Sequence, residues 1–258
     1  MAENLGPSVE EIGVKSDLEH EHKQKLETAR LEVIGEINPS TLSREAFEEK
    51  AWLFHATRGP QFSVRSDYDY EKDFVNDATL GGGLYTTTDQ DLAERYAEIR
   101  PDGTMWKLMP YQARMLNLTS AQAMDNLSVP TELAREWFEF AQPKVWEMAL
   151  NQQLDSTFRD RFIAAMPKLA ELNNKITSRQ HIDLRDDILL TPRATQAFSV
   201  VDSIWRSFCA TKGWDGVIFV EGGERGKTRK NAKSYVFYNP NVIGTFDDWQ
   251  QRTTQVEF

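Results

Sequence analysis

The chain has 258 residues, 40% of them hydrophobic and 27% charged, with a formal net charge of -10 and one cysteine. These values exclude wholesale disorder, a collagen-like repeat and a disulfide-stapled domain, and the acidic balance excludes attraction to nucleic acid as a property of the whole surface. The length suffices for one decorated domain with a full core, and no apolar stretch approaches the roughly 20 residues that span a bilayer.

Residues 1–50 hold twelve acids and six basic residues, and so supply -6 of the total charge. From Val9 to about Ile37 the apolar positions Leu18, Leu26, Leu31, Val33 and Ile34 are irregularly spaced, and residues 1–50 are expected to form a peripheral helical arm. Asn38-Pro39-Ser40 breaks it, and Ser43 is placed to cap a short helix, Arg44 to Lys50, ahead of a strand from Ala51 to His55. Gly81-Gly82-Gly83 then leads into Leu84-Tyr85-Thr86-Thr87, a run of β-formers behind glycines that allow another group close to the backbone. Thr88 with Asp91 reads as a capping box, and Leu92, Tyr96 and Ile99 recur at helical spacing, which predicts an inward-facing Tyr96.

Trp106 to Leu118 contains a further strand, ending in Met115-Leu116-Asn117-Leu118, after which the pattern turns helical. Thr131 is placed to cap the segment with Leu133, Trp137, Phe138 and Phe140, while Pro143 and Pro167 are expected to bend or restart helices. Trp137, Phe138, Phe140, Trp146, Phe158 and Phe162 could line a partner groove, but aromatic residues at helical spacing are usually core, and core is the expectation. A last helix near Thr195 to Lys212 leads to Gly213-Trp214-Asp215-Gly216, then to strands Val217 to Val220 and Ser234 to Tyr238. The fold class is α+β, with short strands towards both ends and a helical insertion at about residues 119–204.

Several motifs carry less than they suggest. Gly222 to Thr228 imitates a phosphate loop, but Glu221 occupies the place of its first glycine and a strand follows instead of a helix. His20 and His22 fit no His-Glu-x-x-His pattern, and Cys209 has no cysteine partner, so no metal site is expected. Nothing resembles a signal peptide, and the expected location is the cytoplasm, or a target cell's cytoplasm after delivery by a dedicated secretion system.

Leu53-Phe54-His55-Ala56-Thr57, Gly83-Leu84-Tyr85-Thr86 and Ala93-Glu94-Arg95-Tyr96-Ala97, in this order, resemble the poly(ADP-ribose) polymerase and diphtheria-toxin branch of the ADP-ribosyltransferases. Gly213 to Ile218 and Ser234 to Pro240 are similar to that family's last strands, and the resemblance covers residues 51–118 and 205–245. It implies split antiparallel β-sheets in a catalytic domain at 51–258, with NAD as substrate. His55 would bond a ribose hydroxyl, with Ala56 and Thr57 positioning the nicotinamide amide; Tyr85 and Tyr96 would sandwich the nicotinamide ring, beside Gly83 and Thr86. The family's glutamate position is Ser234 here, which cannot supply a negative charge, so Glu224 is the first choice for the carboxylate and Glu221 the second. Arg225, Lys227, Arg229, Lys230 and Lys233 form a basic run suited to an anionic acceptor such as nucleic acid. The resemblance thus implies an ADP-ribosyltransferase acting on nucleic acid or protein as a toxin, effector or defence enzyme, with a neutralising antitoxin or immunity protein as partner and no membrane association. A NAD glycohydrolase and a catalytically silent NAD-binding module stay open as alternatives.

Overall fold

The computed structural model describes residues 31–64, 82–100, 102–119, 128–150, 156–189, 200–221 and 232–255. Its ten strands are β1 (Leu31–Ile34), β2 (Leu53–Arg58), β3 (Leu84–Thr87), β4 (Gly103–Pro110), β5 (Ala113–Asn117), β6 (Ser128–Pro130), β7 (His181–Asp183), β8 (Gly216–Glu221), β9 (Ala232–Phe237) and β10 (Ile243–Gly244). Eight form one sheet in the order β1-β5-β8-β9-β3-β2-β4-β10, and β6 and β7 form a separate pair. Within the large sheet β5 and β8 run parallel and the other pairings are antiparallel.

Among the described residues six α-helices accompany the sheet: α1 (Arg44–Lys50), α2 (Gln90–Glu98), α3 (Thr131–Leu150), α4 (Ser156–Ser178), α5 (Val200–Thr211) and α6 (Phe246–Gln255). The central strands β8 and β9 are covered on both faces, which is why Val217-Ile218-Phe219 and Tyr235-Val236-Phe237 are buried without alternation. One set of their side chains, Ile218, Tyr235 and Phe237, packs with Leu53, Leu84 and Leu108. The other set, Val217, Phe219 and Val236, packs with Trp137, Leu172, Trp205 and Phe208 from the helices. The helical insertion therefore shares one continuous core with the sheet.

Several local expectations change in the folded chain. Residues 31–34, read as part of a helical arm, are a strand that pairs antiparallel with β5, Leu31 opposite Leu116 and Ile34 opposite Ala113. Irregular apolar spacing defines no helical face, whereas the sheet edge offers backbone partners and a place to bury Ile34. The stretch expected as one strand within Trp106 to Leu118 is two, β4 and β5, turned at Tyr111-Gln112 with Gln112 at φ 51. Pro143 and Pro167 lie inside continuous helices, where Ala141 and Val145 on α3 and Leu169 and Leu172 on α4 hold the packing. Ser43 does cap α1, its Oγ accepting from Ala46 N at 3.2 Å. On α2 the cap is Asp89, accepting from Leu92 N at 3.1 Å, because Thr88 is engaged with the Lys233 carbonyl.

Gly213-Trp214-Asp215-Gly216 is a structural joint. Asp215 Oδ2 accepts from Arg114 N at 2.8 Å and Oδ1 from Asn239 Nδ2 at 2.6 Å, and a side chain at Gly216 would meet the Val236 carbonyl at 2.1 Å.

Candidate functional site at the seam between β2 and β3

The sheet is thinly joined at one place. Strands β2 and β3 share the single pair Phe54 and Thr87, whereas β2 runs beside β4 from Leu53 to Arg58 and β3 beside β9 along its whole length. His55 follows Phe54 and bridges the seam with its side chain: Nδ1 lies 2.6 Å from the Tyr85 carbonyl oxygen. A carbonyl only accepts, so Nδ1 carries the proton and donates, and in the neutral ring Nε2 presents a lone pair. Burial pushes the His55 pKa down to about 4, the Tyr85 bond opposes this, and the nearby Arg100 charge adds to the lowering. At neutral pH the ring is uncharged and held in one tautomer.

The walls around His55 are aromatic. Phe62 lies 4.8 Å from the imidazole, centroid to centroid, and 5.9 Å from Trp106, the residue opposite His55 on β4. Trp106 Nε1 donates to Thr57 Oγ1 at 2.9 Å, so the hydroxyl proposed to support a ligand is engaged in the fold. Ala56 is buried and its carbonyl accepts from Arg100 Nη1. Phe62, Trp106 and Arg100 carry no motif; only the alternation around Trp106 could have pointed to one of them.

Tyr85 lies edge-on to Phe219, centroids 6.3 Å apart, against the core shared with the helices. Thr86 is buried, and its Oγ1 has no hydrogen-bond partner among the described residues. A hydroxyl in that condition is costly unless something else satisfies it. Ser234 is 2% exposed and stands between Thr87 on β3 and Phe219 on β8. It is the third residue of β9, inside the sheet, not at the strand's start as the resemblance implied.

Two other expected residues, Tyr96 and Gly83, are placed otherwise than the sequence suggested. Tyr96 is 38% exposed, because Ala93 and Ala97 supply the buried face of α2; the helical spacing was right but the small residues, not the tyrosine, fit the close approach to β2 and β4. Gly83 is approached closely by its own neighbour strand: an added Cβ would meet Val236 Cγ2 at 2.5 Å and the Phe237 carbonyl at 3.0 Å. Gly83→Ala is therefore expected to lower stability by about 1 to 3 kcal/mol through overpacking, measured by urea unfolding; an unchanged midpoint would show that β9 gives way without cost. Lys233 is exposed on β9, and its carbonyl accepts from Thr88 N at 3.1 Å.

Glu221 is the last residue of β8, its Cα opposite Ala232. Glu224, Arg225, Lys227, Arg229 and Lys230 lie outside the described residues. On these three adjacent strands His55 and Thr86 share the face of Leu53 and Leu84, whereas Tyr85 and Ser234 share the opposite face with Val236 and Phe219, towards the helices; the structure therefore does not bring the four onto one face.

A concavity of about 300 Å³ lies between α3 and α4, lined by Phe138, Gln142, Trp146, Met166, Leu169 and Asn173 among others, with Trp146 50% exposed. Cys209 is buried in the core shared with the helices, and burial raises its thiol pKa well above the ordinary value. Among the described residues no helix is long and apolar enough to cross a membrane. No family model, characterised protein or solved structure matches the chain.

Proposed function

We propose that this chain is an ADP-ribosyltransferase that takes NAD as substrate, with the β2/β3 seam as its binding cleft. The observation that carries the reading is His55: a neutral imidazole at the opening of the sheet, fixed through Nδ1 so that Nε2 is an acceptor for a ribose hydroxyl. The unsatisfied Thr86 hydroxyl beside it fits a polar ligand, and the single residue pair joining β2 to β3 fits the split-sheet form of the family. In the reaction the bond between the nicotinamide nitrogen and ribose C1′ breaks, with its electron pair leaving on nicotinamide. An acceptor nucleophile then bonds to C1′ and loses its proton. A carboxylate near the ribose stabilises the cationic sugar in between. Glu221 and Glu224 are the candidates, and the basic run from Arg225 to Lys233 would attract an anionic acceptor.

One observation favours a second reading. Ser234 is buried within the sheet and carries no charge, so a protein without a substitute carboxylate would bind NAD and leave it intact. The two readings separate when the protein is incubated with NAD labelled in its adenylate phosphate together with RNA, DNA or protein extract. Label on one class of acceptor establishes the transferase; nicotinamide release alone indicates hydrolysis; neither leaves the silent module. His55→Ala is expected to lower kcat/KM for NAD cleavage by roughly 100-fold, while Glu221→Gln or Glu224→Gln lowers kcat more than it raises KM. Unchanged kinetics in His55→Ala would remove the seam from the mechanism.

A further inference from the structure

We propose that Asp248 and Arg252, on the C-terminal helix α6, are positioning residues for His55 and act on it through Phe62. Helix α6 opens with a reciprocal cap: Thr245 N donates to Asp248 Oδ2 at 2.8 Å and Asp248 N donates to Thr245 Oγ1 at 3.3 Å. A cap needs no more than this. Yet the same carboxylate, 4% exposed, also accepts from Ser63 Oγ at 2.6 Å and from Val64 N at 3.1 Å. On the other side of the same residue, the Val64 carbonyl accepts from Arg252 Nη2 at 3.1 Å. That guanidinium is itself fixed by the carbonyls of Pro240, Asn241 and Ile243 and lies over the Trp249 ring at 4.6 Å.

Residues 63 and 64 are therefore fastened to α6 through side chain, N–H and carbonyl together. Phe62 directly precedes them, and its ring lies against His55, tilted by 36°, and against Trp106. Among the described residues the imidazole has one hydrogen bond to hold its orientation, the bond to Tyr85. A ring with one such bond turns about its side-chain axis unless a wall blocks it, and Phe62 is that wall. Helix α6 thus determines, from almost two hundred residues away, which nitrogen of His55 faces the seam. The orientation stands on these contacts alone; its consequence for catalysis rests on the proposed NAD reaction.

The test compares wild type, Phe62→Ala, Asp248→Asn and Ser63→Ala, each labelled with ¹⁵N-histidine and verified as folded by circular dichroism. Ser63→Ala removes one loop contact and leaves the cap of α6 intact, so it serves if Asp248→Asn does not fold. The chain has four histidines, and His55→Gln identifies the signals of His55. In wild type the two ring nitrogens should show well-separated shifts, one protonated and one bare. In Phe62→Ala the separation should fall by about half or more as the tautomers exchange, with smaller changes in the same direction in the other two. Unchanged His55 shifts in folded Phe62→Ala overturn the proposal, as do unchanged shifts in Ser63→Ala together with any folded Asp248→Asn. Failure of the NAD reaction in wild type would sink the proposed function but leave these spectra, and the positioning role, decided on their own.

Discussion

Replacing Trp205 with alanine is expected to destabilise the protein by about 3 to 5 kcal/mol. The side chain is fully buried on α5, in tilted contact with Phe208 at 5.7 Å, and its Nε1 donates to the Tyr238 hydroxyl at 3.1 Å just past the end of β9. Truncation would leave a large cavity in the core that joins α3, α4 and α5 to β5, β8 and β9, and would strip the Tyr238 hydroxyl of a donor. Because that core is continuous, helical circular dichroism and tryptophan fluorescence should report one coincident transition in urea for both wild type and variant. Two separated transitions in wild type would mean that the helical insertion folds independently of the sheet.

His55 should impose an acid lability of nearly the same size. Its folded pKa is about 4 against an ordinary value of 6.5, with burial as the main cause. Above pH 6.5 both states are unprotonated and the group has no effect. As pH falls from 6.5 towards 4 the unfolded chain takes up a proton that the folded chain refuses, so stability is lost across that window, by about 3 kcal/mol in total. Between pH 7 and pH 4.5 the wild type should therefore lose about 2 to 3 kcal/mol more than His55→Gln, whose side chain does not titrate. Urea unfolding at the two pH values measures the difference; equal losses would show that the imidazole is hydrated in the folded state. The same pKa predicts that any reaction using the neutral ring is insensitive to this group from about pH 5 upward.

Much of the scaffold was legible. The β-rich runs around His55, Tyr85, Val217 and Tyr235 became β2, β3, β8 and β9, and Ser43 capped α1 as its side chain allows. The aromatic stripe of the insertion was core at Trp137, which is fully buried, but not at Trp146, which is half exposed. Strands β6 and β7, inside the insertion read as helical, were missed, as were two elements further along the chain, strand β10 and helix α6. The first is two residues long, and the second is polar and identified by its Thr245–Asp248 cap and its buried Trp249, not by an apolar stripe. Of the site, the strands and the order of His55, Tyr85 and Ser234 could be read, but not the roles of their neighbours: Thr57 turned out to be bonded to Trp106, and Gly83 to serve the packing of β9.

The sequence by itself determined where the β-formers, the caps and the apolar runs lie, because propensity, capping and periodicity act over a few residues at a time. Only the tertiary structure decided that residues 31–34 would join a sheet edge, that Ala93 and Ala97 rather than Tyr96 would face inward, and that Asp248 would reach the loop beside His55. Those outcomes depend on which distant backbone groups arrive unpaired and how closely two elements can approach. Neither quantity exists until the chain is folded.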